Sequence, residues 1–197
     1  DYENINIDSW GGNASMTNAT VRIKANDSMP RSEVKNASVQ LRGLNHWDYF
    51  KNKNIHFKNI SIHADSLTHY SNRNKKKEEN KKQKDSTSEN PISAQNMDRH
   101  FLIEKFDLVA DYIQIINPKT DSVNLKTAHF NLKLKNITPS ISGAITRPFD
   151  YEEILMSYDS LYYQTNQYDV LSVGHVEWNG TDLEMNDTRL KTQYSRK

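Results

Sequence analysis

Any chemistry in this chain would have to come from carboxylates, imidazoles or aromatic rings, because cysteine is absent. That absence removes a thiol nucleophile, a thiolate metal site and a disulfide framework. The acidic candidates are Glu152-Glu153 and the aspartates Asp65, Asp111 and Asp159. Glycoside hydrolysis needs two carboxylates on opposite sides of a bound sugar, whereas neighbours in one strand point to opposite faces of a sheet. The three aspartates also occupy equivalent places in a repeated pattern, which suits a turn or bulge role better than an active site that occurs once. No catalytic residue is therefore assigned, and the chain is read as a non-enzyme.

His56, His63 and His69 are the imidazoles that tempt towards a metal. Alternate residues of a strand share a face, so His63 and His69 nominally agree and His56 opposes them; a change of phase between 63 and 69 undoes even that agreement. There is no His-Glu-x-x-His, Cys-x-x-Cys or His-x-His, and Gly11-Gly12, Gly143 and Gly174 match no phosphate loop or nucleophile elbow. Neither a metal nor a cofactor is expected. The aromatic candidates are Tyr158, Tyr162, Tyr163, Tyr168 and Trp178, with Trp10, Trp47 and Tyr49 nearer the other terminus. On a sheet such rings stack on sugars, line an acyl-chain groove or pack across strands.

The elements that would hold these residues are strands. A short pattern recurs at Val21-Arg-Ile23, Ile60-Ser-Ile62-His-Ala64-Asp65-Ser66-Leu67, Phe106-Asp-Leu108-Val-Ala110-Asp111-Tyr112-Ile113 and Ile154-Leu-Met156-Ser-Tyr158-Asp159-Ser160-Leu161. Alternation of apolar and polar residues marks each copy as a half-buried strand, and recurrence marks one β-module used several times. Within a copy the apolar parity slips at Asp65-Ser66, Asp111-Tyr112 and Asp159-Ser160, which predicts a bulge that keeps apolar side chains on one face. Leu125 to Phe130 lines up with Val173 to Trp178 at the 48-residue offset of the last two copies. Asn117 to Asp121 and Asn179-Gly180 supply turn chemistry, and Gly43 to Phe50 reads as a short helical turn capping one end of a sheet.

The hydrophobic share of 35%, mean hydropathy of −0.88 and aromatic share of 10% suit thin, half-buried sheets. A net charge of +1 offers no field for a polyanion, so nucleic acid is excluded as a partner. Residues 71–90 hold no apolar side chain and read as a flexible charged loop, in which Lys75 to Lys77, Lys81, Lys82 and Lys84 form a basic run. No stretch has the roughly 18 apolar residues of a membrane-spanning helix.

The units Ala64-Asp65-Ser66-Leu67-Thr-His-Tyr70 and Tyr158-Asp159-Ser160-Leu161-Tyr-Tyr163 resemble the β-repeats of AsmA-like bacterial envelope proteins of the Bacteroidetes type, over residues 50–190. The resemblance implies a periplasmic segment of a larger, membrane-anchored protein whose β-groove accommodates lipid acyl chains. It brings no catalytic residues. LptA-like and LptC-like lipopolysaccharide carriers share the same physics. The expected fold is a mostly β domain over residues 1–197, of antiparallel meander repeats forming a twisted, curved sheet or β-groove with little helix. Ile60, Ile62, Phe106, Leu108, Ile113, Ile154, Met156 and Leu161 are the expected lipid-facing or core side chains. The expected ligand is phospholipid or another acyl-chain molecule, and the membrane is reached through segments outside this chain. The competing expectation is a surface β-sandwich for adhesion or glycan binding, acting through exposed Tyr and Trp.

Overall fold

The computed structural model describes residues 1–24, 31–71, 101–140, 149–164 and 169–192; the charged stretch from 72 onward lies outside them. The described chain is mostly β, in one large mixed sheet. Its strands are β1 (Asn4–Asp8), β2 (Asn13–Ile23), β3 (Ser32–Arg42), β4 (Ile55–Tyr70), β5 (Phe101–Ile116), β6 (Val123–Pro139), β7 (Phe149–Asp150), β8 (Glu153–Gln164), β9 (Val170–Trp178), β10 (Leu183–Asn186) and β11 (Arg189–Lys191). The order is β1-β2-β3-β4-β5-β6-β8-β9-β10, with β11 also on β9 and β7 on β6. The sheet does not close into a barrel.

Local chemistry accounts for the connections. Asn117 accepts from the Lys119 amide and Asn179 from the amides of Thr181 and Asp182, so both predicted turns are built by an Asn side chain at their first position. The predicted helical turn is α1 (His46–Asn52), capped by Asn45, which accepts from the Asp48 amide, and ended by Lys53 in the left-handed region. No described helix is long and apolar enough to cross a membrane.

Elements contact their neighbours in the ladder, and α1 packs on the start of β4; no second layer covers either face among the described residues. The described residues thus form a single sheet rather than a sandwich. Three details depart from the sequence reading. β4 and β5 are parallel, Ile60 beside Phe106 and Leu67 beside Ile113, so the run is not a simple meander. The copy at Val21 falls out of step, because Val21 pairs with Val34 and thence Leu67, while Ile60 is reached through Leu41 from Ala14. In the second halves Val173 shares a row with Thr127 through Leu161, two residues from the alignment with Leu125.

The predicted change of phase is present, and its backbone cause is visible on four strands. Asn18 (φ 51), Asn36 (φ 49), His129 (φ 50) and Ser160 (φ 54) all occupy the left-handed region. β4 and β5 carry no such residue and pass Asp65 and Asp111 together without a relative shift, so the slip there is not a bulge between the two. Asn18 and Asn36 adjoin on β2 and β3, His129 and Ser160 adjoin on β6 and β8, and together they mark a transverse crease that β4 and β5 cross between them. Seven residues further along the chain from Asn36 and His129 stand Gly43 (φ 68) and Asn136 (φ 50), and Gly180 (φ 94) and Asp187 (φ 54) repeat that spacing. A left-handed residue inside a strand bends it locally, and because these residues fall on one line across the sheet, the sheet folds along that line.

Candidate functional site

Register alone builds the site. Partners across a ladder share a face, so a row can be followed from strand to strand. One row runs Ile7, Ala14, Leu41, Ile60, Phe106, Leu134, Ile154. The next, two residues along each strand, runs Ile5, Met16, Val39, Ile62, Leu108, Leu132, Met156, Trp178, Leu183. At the crease lie Ala64, Ala110 and Phe130, with Tyr158 stacked on Phe130 at 6.2 Å and Val176 beside it. Beyond the crease Val34, Leu67, Ile113, Thr127 and Leu161 continue the apolar side up to Val173. Thr127 fits there because its hydroxyl donates to the Asp159 carbonyl at 2.8 Å, which the kink leaves turned inward.

All eight side chains expected to line a groove are therefore on this surface, and every one is half-buried. Ile60, Phe106 and Ile154 share the first row, Ile62, Leu108 and Met156 the second, and Ile113 and Leu161 flank Thr127 past the crease. Trp178 belongs to the second row. Tyr163 continues this side with Leu125 and Leu171, while Tyr162 pairs with Lys126 and Ser172 opposite.

The apolar face is concave at the crease. Ala64 and Ala110 are 0% exposed although no second layer of the sheet lies above them among the described residues. Met16 from one side of the line and Val34 and Leu67 from the other pack onto Ala19, Ala37 and Ala64. Larger residues meet over small ones only where the sheet folds towards them, so the face is a trough with alanine at its bottom. With strands ~4.8 Å apart, a row of nine spans ~38 Å, longer than the roughly 30 Å hydrocarbon core of a bilayer. That row, the seven-residue row beside it and the shorter one at the crease together have a footprint on the order of 700 Å². At the sheet margins, where a row has a neighbour on one side only, Ile7 is 70% and Leu183 59% exposed.

The opposite face is polar: Gln40, Ser61, Asp107 and Lys133 form one of its rows, and Glu33, Thr68, Gln114 and Lys126 another. Arg22 donates to Glu33 at 2.7 Å, the main reason Glu33 titrates below the usual carboxylate range. The repeat aspartates tie the crease together here. Asn36 donates to Asp65 at 2.7 Å, His63 stands 3.9 Å from Asp111, and Asp159 accepts from His175 at 2.6 Å and His129 at 3.0 Å. His56 instead meets Glu104 at 2.8 Å and His69 meets Ser32 at 2.9 Å, so the three histidines singled out in the sequence go to three different partners. The grouping of His129 and His175 around Asp159 has no signal in linear spacing. No set of three ligand-type side chains among the described residues is arranged to hold a metal.

That grouping sets a pH dependence. The His175 bond, then the His129 bond, lowers the Asp159 pKa from 3.8, and the Asp159 bond raises that of His175 from 6.5, aided by Glu177 and Glu184. A depressed carboxylate stabilises the fold above its unfolded pKa and loses that contribution as pH falls through the folded value; a raised imidazole stabilises below its unfolded pKa and loses it as pH rises through the folded value. The pair therefore stabilises most between roughly pH 4 and 6.5. Thermal midpoints followed by circular dichroism should decline on the alkaline side of that window, and His175→Asn should flatten the decline. An unchanged slope in the variant would show that the bond carries no linkage.

Compared with known proteins, the chain matches no family model, no curated protein and no solved structure.

Proposed function

We propose that this chain is a non-enzymatic segment of a cell-envelope protein that holds lipid acyl chains along its concave apolar face and conducts them between membranes. One observation carries the reading: unbroken apolar rows cross up to nine strands, and among the described residues no second layer covers them. An amphipathic sheet must place its apolar face against another layer or a ligand, and a trough open along its length suits a chain-like, featureless ligand better than a compact polar one. The resemblance of the Asp-Ser-Leu units to AsmA-like envelope repeats points to the same ligand class and to the periplasm. Half-buried side chains lining a slot leave room for methylene groups at ~0.8 kcal/mol of stabilisation per methylene buried.

The test is purification without detergent from a Gram-negative host, followed by mass spectrometry of extracted lipid and titration of the stripped protein with phospholipid. Stoichiometric phospholipid, recovered or rebound, is the expected result. A protein that carries and takes up none, yet binds glycans through Trp178 as judged by loss in Trp178→Ala, would replace this reading with the glycan-binding one.

A further inference from the structure

The exposed aromatic side chains are distributed unevenly. Among the described residues Trp10, Trp47, Tyr49, Phe50, Phe149 and Tyr151 all lie at one end of the strands, against Tyr2 and Tyr112 elsewhere. Trp10 is 97% and Trp47 83% exposed, values that no packing role explains. The two loops that carry them are fastened to each other: the Leu44 amide donates to the Gly12 carbonyl at 2.9 Å and the Gly43 amide to Asn13 Oδ1 at 3.1 Å. A β-carbon on Gly12 would lie 2.4 Å from the Leu44 carbonyl oxygen, so the close approach requires glycine there. The rings are thus presented on a braced rim. Lys51 and Lys53 stand among them, the latter 5.7 Å over the Tyr49 ring.

We propose that this rim docks in the headgroup layer of a lipid bilayer. Trp and Tyr have an apolar body and a polar edge and concentrate at the membrane interface, and lysines beside them reach phosphate oxygens. A protein partner would seal such rings in a complementary pocket, whereas here they project separately from two loops and α1 along a line. That is the form of an interfacial anchor. The surface is distinct from the trough, and its docking does not require the trough to hold lipid.

The test uses the full chain in a Trp178→Phe background, so that emission reports Trp10 and Trp47. With phosphatidylcholine vesicles the emission should shift to the blue and be quenched by brominated acyl chains. Adding phosphatidylglycerol should strengthen binding, and Lys51→Gln with Lys53→Gln should remove only that increment. Trp10→Ala and Trp47→Ala should each weaken partitioning about ten-fold, with an unchanged circular dichroism spectrum because both rings are solvated. Absence of vesicle binding, or binding indifferent to these rings, would overturn the proposal. A chain altered at Leu108 and Met156 should still dock, which separates failure of the rim from failure of the trough.

Discussion

Leu108→Glu combined with Met156→Glu is expected to abolish acyl-chain capture while leaving strand content intact. The two residues flank Leu132 in the middle of the longest apolar row, where a bound chain would have to cross them. In the empty trough both side chains still reach water, so carboxylates there are hydrated and the sheet survives. A methylene chain laid over them strips that water from two charges without offering a hydrogen bond, at several kcal/mol. Since about 1.4 kcal/mol is a factor of ten, binding should weaken by at least 100-fold. Titration with a fluorescent acyl probe measures it. Leu155→Glu is the control, because Leu155 is 46% exposed and pairs with Lys133 on the polar face; it should bind as the parent does. Equal loss in both variants, or in neither, would remove the trough from the mechanism.

The second large effect concerns the crease. Asn36, His129 and Ser160 hold φ near +50, a conformation that a β-branched L-residue adopts only at a cost of about 1–2 kcal/mol. The three sit on β3, β6 and β8; two strands separate Asn36 from His129, whereas His129 and Ser160 adjoin through Asp159, so only the Asn36 cost adds independently. Replacing all three by valine should cost at least about 2–4 kcal/mol, one share for Asn36 and one for the coupled pair, a large part of the roughly 5–15 kcal/mol that keeps a domain folded. Urea unfolding should show the midpoint collapse. Ser160→Gly alone should hold or raise stability, since glycine reaches that conformation without strain. If the triple valine variant unfolds with the parent, the crease is not set by these backbone torsions.

Much of this was legible in the residues. Alternation over Ile60 to Ala64 and Phe106 to Ala110 predicts strands and assigns their inner faces, because side-chain direction in a strand follows from local backbone geometry. The slip at Asp159-Ser160 predicts the kink, since a parity change within one strand is readable from that strand alone. Asn179-Gly180 predicts its hairpin for the same reason.

Relations between strands were another matter. The parallel pairing of β4 with β5, the two-residue displacement of β9 against the repeat, and the placing of Val21 beside Leu67 instead of in the Ile60 row depend on which edges meet. Alternation is satisfied equally by several such registers. The meeting of His129 and His175 at Asp159 is likewise a product of pairing, since 30 and 16 residues separate them from it. So amino-acid order by itself determined that this chain makes two-faced strands with a built-in bend. Only the assembled sheet decided that the bends line up, leaving a continuous apolar trough, because alignment is set by hydrogen bonding between segments distant in the chain.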